Sequence, residues 1–369
     1  MKAVRTIFRI LVGLVFIFSG FVKGVDPLGT VYRMNDYFIA FGIPWASSMS
    51  LVLTIFLCTL EFVLGISLLF NLHIKWTAWI LLPVMAYFTV LTLFDALYNI
   101  VPDCGCFGDA VKLTNVQTFI KNLVLMAMVI PIFAWRKKYR APVRGWVQFL
   151  VLVLFAGGFS MMSVHAYRHL PLIDFMAWKV GNRVNQTSAQ PVKFYVTYRN
   201  TTTGETREYQ APNYPWNDSV WMANWEFVSQ RAADEGVTGT MTLQIEDSTG
   251  QDNTAEILGT PGIHFIAVAY DLAKADRTGL KAIDVLYRIT REEDYNFVLL
   301  TSTLPAEAAE ISGKRGLQIP IYFADDVVLK TMVRSNPGLI LMRSDTVVMK
   351  WAWRDIEGFD PINNTYIKK

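Results

Sequence analysis

Cysteine is scarce in this chain and confined to its first third. Of 369 residues only Cys58, Cys104 and Cys106 are cysteine, and none follows Cys106. Three is too few for a disulfide scaffold, and their spacing lacks the four thiolate or imidazole ligands of a structural zinc site. The four histidines, His73, His165, His169 and His264, do not cluster with them. Charge is scarce too: 18% of residues are charged and 53% hydrophobic, against about 25% charged in soluble domains. That excludes an ordinary soluble protein. The net charge of +3 averages two unlike halves: residues 1–178 hold 14 Lys/Arg against 7 Asp/Glu (+7), and residues 179–369 hold 20 against 24 (−4). The polar half carries no basic stripe, so a nucleic-acid partner is not expected.

What the front half does have is long apolar runs. Five approach the roughly 20 residues that a bilayer core requires: Thr6–Val25, Trp45–Phe70, Trp76–Ile100, Val116–Trp135 and Trp146–Val164. The first is not read as a signal peptide, because Phe21-Val22-Lys23-Gly24-Val25 offers no small-x-small cleavage site. Loop charge sets the orientation. Lys2, Arg5, Arg9, Lys75, Arg136, Lys137, Lys138, Arg140 and Arg144 fall on one side; Lys23, Arg33, Lys112 and Arg168 fall on the other. The excess places the amino terminus in the cytoplasm. Five spans then put the loop of Cys104 and Cys106, and everything after the last span, in the periplasm or exterior; the expected location is a bacterial inner membrane. Trp45, Trp76, Trp79, Trp135, Trp146 and Trp178 sit at span ends as interfacial anchors.

Three charges interrupt the spans. Glu61, Asp95 and Lys121 would each cost roughly 2.5–3.5 kcal/mol at a lipid-facing mid-membrane position, so each is expected to face the bundle interior or an interface. Glu61 is the deepest. It is either a hydrogen-bonded helix contact or a participant in proton or quinone chemistry. Cys58 precedes it by three residues, on the same helical face. It is either a small packed hydrophobe or a third thiol.

The chemical centre is Pro102-Asp103-Cys104-Gly105-Cys106-Phe107-Gly108-Asp109. Two thiols separated by one glycine can close a very small ring, with Gly105 supplying backbone freedom. Bridges prefer Cα atoms about 5.5–6 Å apart, so an i, i+2 bridge is expected to be strained and labile, as catalytic disulfides are. The competing reading is a pair that only shapes the loop.

Residues 1 to about 140 resemble the DoxX-like, MauE-type redox-associated membrane proteins. The stretches that carry the likeness are Arg9-x-x-x-Gly13 with Ser19-Gly20-Phe21-Val22-Lys23 and Asp26-Pro27, then Glu61-x-x-x-Gly65. Most specific is Cys104-Gly105-Cys106-Phe107-Gly108-Asp109 with Leu113-Thr114 and Lys121-Asn122. The resemblance implies a four-helix membrane bundle and a role in making or maintaining disulfides of exported proteins. In it Cys104 and Cys106 are the redox pair, a quinone is a candidate acceptor, and Ser19, Lys23 and Glu61 are interior polar residues. One departure is plain: residues 1–140 hold no second cysteine pair to relay electrons.

Beyond the fifth span, His165 and His169 lack a third ligand at helical spacing and read as interfacial polar residues, so no metal site is expected. Strands are predicted at Phe194–Tyr198 and Thr206–Tyr209, a helix at Ser219–Ala233 and a strand at Thr240–Glu246. Then come a strand His264–Tyr270, helix Thr278–Arg291, strand Asn296–Ser302, helix Pro305–Arg315, short strand Ile319–Phe323 and helical turn Val327–Arg334. Strands Gly338–Met342 and Thr346–Trp351 close the series, which indicates an α/β sandwich with a mixed sheet. With Ser335-Asn336-Pro337-Gly338 before the final hairpin, residues 260–356 resemble a thioredoxin-like domain. That resemblance implies a cis Pro337 and a peptide-binding edge at Asn336 and Pro337. Where such a domain carries its cysteines, this chain reads Tyr270-Asp271-Leu272-Ala273-Lys274-Ala275-Asp276-Arg277. It can bind but not exchange disulfides.

The expected architecture is therefore a membrane all-α bundle (1–140), a fifth transmembrane helix with linker (141–178), a small mixed extension (179–258) and a periplasmic α/β thioredoxin-like domain (259–369). The expected partners are the lipid bilayer and an exported client protein or partner oxidoreductase. The alternative to a redox role is a non-catalytic membrane anchor whose periplasmic domain binds a partner.

Overall fold

The computed structural model describes residues 2–101, 105–140, 142–184, 194–210, 214–215, 218–232, 243–356, 359–360 and 365–366. Cys104 lies outside them, as does part of the strand expected at Thr240–Glu246. The chain divides into two compact units, Met1–Tyr167 with Pro171–Ile173, and Arg168–Leu170 with Asp174–Lys369.

Each of the five apolar runs is a helix long and apolar enough to cross a membrane, and the first unit has the character of a multi-pass membrane protein. They are α1 (Lys2–Val25), α3 (Ser50–Phe70, led in by a 3-10 turn at Pro44–Met49), α4 (Ile74–Tyr98), α5 (Asn115–Ala134) and α6 (Gly145–Arg168). Between the first two lies a helix that hydropathy does not announce, α2 (Pro27–Ala40). Its start is written locally: Asp26 accepts a hydrogen bond from the Gly29 amide and Pro27 occupies the first turn, the usual capping and proline preferences.

Lipid offers no hydrophobic drive between helices, so close backbone approach must hold them. A Cβ on Gly20 would stand 2.7 Å from the Phe62 amide nitrogen, and one on Gly65 would stand 2.6 Å from that of Ile17. The small residues of α1 and α3 therefore set their separation. On α6, Phe159 stacks on Phe62 with centroids 4.4 Å apart and fills the space beside Gly24. Helices α4 and α5 pair through Asn122, whose amide donates to the Thr92 hydroxyl at 3.1 Å.

The second unit is mixed α/β. Strands β1 (Phe194–Asn200), β2 (Thr206–Gln210) and β3 (Trp225–Ala232) form an antiparallel sheet in the order β2-β1-β3. The helix expected over Ser219–Ala233 is corrected here: α7 covers only Ser219–Asn224, and Trp225 onward is strand paired with β1. The sequence Trp-Glu-Phe-Val-Ser-Gln alternates with period two over its first residues, which suits a strand. The strand expected to end at Glu246 is also corrected, since among the described residues Glu246 makes only isolated bridges, to Asp252 and Phe323.

A short helix, α8 (Thr254–Leu258), leads into the larger sheet. This contains β4 (Ile263–Val268), β5 (Asn296–Thr301), β6 (Ile321–Phe323), β7 (Gly338–Arg343) and β8 (Thr346–Ala352) in the order β6-β5-β4-β7-β8. The first three are mutually parallel; β7 runs antiparallel to both neighbours. Its helices are α9 (Arg277–Glu292), α10 (Pro305–Arg315) and α11 (Asp326–Met332). Alternation builds two cores: Phe265 and Ala267 of β4 join Leu280 and Ile283 of α9. Ile266 and Val268 join Val328, Leu329 and Met332 of α11. Both faces of β4 are thus covered, which explains its unbroken apolar sequence. Two-residue strands β9 (Phe359–Asp360) and β10 (Thr365–Tyr366) pair with each other.

Candidate functional site

Of the residues carrying the resemblance, Ser19, Lys23, Glu61 and Lys121 converge on the loop that follows α4, whereas Arg9 donates to the Leu68 and Leu69 carbonyls at the end of α3. The loop folds on itself, the Gly108 amide donating to the Gly105 carbonyl at 2.9 Å. Gly105 and Gly108 have φ of 64° and 54°, a left-handed backbone that glycine adopts without strain.

Beneath the loop, Lys23 Nζ of α1 lies 2.6 Å from Glu61 Oε1 of α3, and both side chains are almost wholly buried. Ser19, one turn before Lys23, stands 2.8 Å from Glu61 Oε2 and 2.8 Å from the Cys106 carbonyl oxygen. A serine hydroxyl carries one proton, so Ser19 shares it between a carboxylate and the loop backbone. The chain of contacts Lys23–Glu61–Ser19–Cys106 links a buried ion pair to a cysteine. Cys58 is fully buried one turn from Glu61, and the thiols of Cys58 and Cys106 both lie within electrostatic reach of Lys23.

Two further side chains hold the loop. Arg33 of α2 pairs with Asp109, Nη2 to Oδ1 at 2.6 Å, with both partners largely buried. Phe107 packs edge-on against Phe18, centroids 5.3 Å apart, and the Lys121 ammonium sits 4.4 Å above its ring. Asp95, expected near the outer end of its span, is buried and accepts from the Tyr37 hydroxyl at 2.5 Å. Glu61, Cys58 and Cys106 are therefore brought to one end of the bundle. Arg33 escaped sequence reasoning: its partner is 76 residues away, and it read only as a loop charge. The start of α2 at Asp26-Pro27 was the signal that could have placed it on a helix.

Asn336 and Pro337 belong to the other unit. The peptide bond between them is cis. Asn336 Nδ2 donates to the Asp271 carbonyl at 2.8 Å, and the Asn336 carbonyl accepts from the Asp276 amide at 3.2 Å. This segment is thereby tied to Tyr270–Arg277, the stretch after β4. From Gly338 onward β7 is paired on both sides, and the Pro337 carbonyl just before it accepts from the Ser335 hydroxyl at 2.6 Å. Burial pushes the Asp271 carboxyl up, but its bonds from Lys274 hold it below the usual carboxylate range.

No curated protein and no solved structure matches this chain. The cysteine loop and its cradle lie inside a stretch, residues 1–136, that matches the family described as methylamine utilisation protein MauE.

Proposed function

We propose that the chain is a component of thiol–disulfide chemistry in the bacterial inner membrane. In this reading its amino terminus is cytoplasmic, and its cysteine loop and carboxy-terminal half are periplasmic. The observation that carries it is the link from the Cys106 backbone through Ser19 to the buried Lys23–Glu61 pair. A buried ion pair is a weak source of stability, so its presence under a loop of two cysteines favours chemistry over scaffolding.

A client thiolate attacks one sulfur of a Cys104–Cys106 disulfide, giving a mixed disulfide, and the client's second thiolate resolves it. The client leaves oxidised, and the loop keeps two electrons and takes up two protons as two thiols. A quinone then accepts both electrons and both protons, becoming the quinol and restoring the disulfide. The order β4, α9, β5, α10 and then the β7–β8 hairpin supports a thioredoxin-like reading of the second unit. Lacking cysteine, that unit would hold an exported client or partner oxidoreductase near Asn336 and Pro337.

Alkylation trapping in cells tests the reading. Cys104 and Cys106 should shift between oxidised and reduced forms as quinone supply changes; thiols fixed in one state under every condition would overturn it. The absence of cysteine after Cys106 favours a second reading, a non-catalytic anchor. There the paired changes Cys104→Ser and Cys106→Ser leave function intact, while deletion of residues 191–369 abolishes it.

A further inference from the structure

Arg33 does more than neutralise Asp109. A Cβ built on Gly105, the residue between the two cysteines, would lie 2.1 Å from Arg33 Cδ and 2.6 Å from its Nε. The stem and inner edge of the guanidinium therefore fill the space that any larger residue there would need. Its outer edge binds Asp109 at 2.6 Å, and its Nη1 donates to the Gly29 carbonyl at 3.3 Å. The side chain is fixed at both ends and mostly buried. It spans the loop from Gly105 to Asp109 while Ser19 holds Cys106 between them.

We infer that Arg33 is a positioning residue for the cysteine loop and the cation that favours the Cys106 thiolate once the loop is reduced. This deepens the redox reading and rests on it. Opposite charge at short range favours the ionised form of a thiol, and the thiolate is the form that exchanges disulfides. The proton leaves to bulk water, since Cys106 is only half-buried. Among the described residues, Lys23 is paired with Glu61 and also lies within electrostatic reach of the Cys106 thiol. Asp109 is paired with Arg33 itself, Lys121 stands over Phe107, Asp95 is bonded by Tyr37, and Asp26 caps α2. Arg33 differs in presenting the Nε edge of its charge to the residue joining the two cysteines. Arginine also stays charged at every accessible pH, so its influence does not titrate.

The test uses the full chain in lipid nanodiscs with Cys104→Ser, reduced, following iodoacetamide alkylation of Cys106 by mass spectrometry across pH. The parent should show a midpoint below the ordinary thiol value of about 8.5. Arg33→Gln should raise the midpoint by about one unit, roughly tenfold less thiolate at neutral pH. Arg33→Lys, which keeps a cation, should stay much nearer the parent. Gly105→Ala, which displaces the stem while leaving Arg33 in the chain, should move the midpoint as Arg33→Gln does. An unchanged midpoint in Arg33→Gln or Gly105→Ala would overturn the inference, as would an Arg33→Lys shift as large as that of Arg33→Gln. Because Cys104→Ser cannot cycle, the outcome is independent of turnover. A midpoint that moves as expected beside a pair that is redox-inert in cells would uphold the electrostatic role and sink the functional reading.

Discussion

Lys23 Nζ and Glu61 Oε1 stand 2.6 Å apart with both side chains buried between α1 and α3. Removing one partner of such a pair strands a charge without water, and the expected penalty is about 3–5 kcal/mol. Lys23→Met or Glu61→Leu alone should therefore lower thermal stability in detergent sharply. The double substitution should recover most of the loss, because two apolar side chains leave no charge behind. Single variants as stable as the parent would show that the pair is solvated.

The glycines of the bundle give a sharper contrast. Gly20→Ala would press a methyl group to 2.7 Å from the Phe62 amide nitrogen, where only helix separation can relieve it. In α6, Gly157 and Gly158 have nothing within 4 Å of a Cβ position. Alanine at these two should be neutral or slightly stabilising, given glycine's poor helix propensity. Gly20→Ala should weaken α1–α3 packing, read as earlier unfolding and faster proteolysis. Equal behaviour of the three variants would refute the close-approach account.

Much of this fold is legible in the chain, and the lapses have physical causes. The spans follow from length and hydropathy, and the β4-to-β8 series follows from its alternation of strand and helix patterns. Helix α2 escaped because it is too short and polar to register as a span, although Asp26 and Pro27 mark its start. Trp225–Ala232 was misread because aromatic residues at short spacing fit a helical face as well as a strand; pairing with β1 decides between them. At the site, Glu61 and Cys58 were visible as polar residues in apolar runs. The Arg33–Asp109 contact was not, since neither residue is unusual where it stands and only the fold brings them together.

His264 lies in β4 almost wholly buried, and among the described residues neither ring nitrogen has a partner at good hydrogen-bond geometry, the Gly262 backbone being a weak approach only. Burial pushes its imidazole below the ordinary value, and the Gly262 backbone offsets only part of that. The folded state thus resists protonation, whereas the unfolded chain takes up a proton below about pH 6.5. Stability from this residue is complete above that pH and is lost as pH falls toward the lower folded value. Protection factors of the β4 amides, corrected for the pH dependence of intrinsic exchange, should fall between neutral and mildly acidic pH. His264→Leu should remove that dependence; a profile identical in parent and variant would place the titration elsewhere.

Asp325 works in the opposite sense. Its carboxylate accepts from the Val327 and Val328 amides at 2.8 and 3.1 Å, capping α11, and from the Tyr214 hydroxyl at 3.2 Å. Burial is the chief cause that raises it above the usual carboxylate value, with Asp326 beside it adding to the rise and the capping bonds opposing it. A raised folded value means that this group's contribution is most favourable at acid pH and is lost as pH climbs from about 3.8. Asp325→Asn keeps an N-cap acceptor and cannot ionise, so at neutral pH it should match or exceed the parent in urea unfolding. That advantage should shrink on acidification. Asp325→Ala removes the cap and should cost about 1 kcal/mol, leaving Tyr214 without this acceptor. If Asn proved as damaging as Ala at neutral pH, the charge itself would be what α11 requires, and the burial argument would fail.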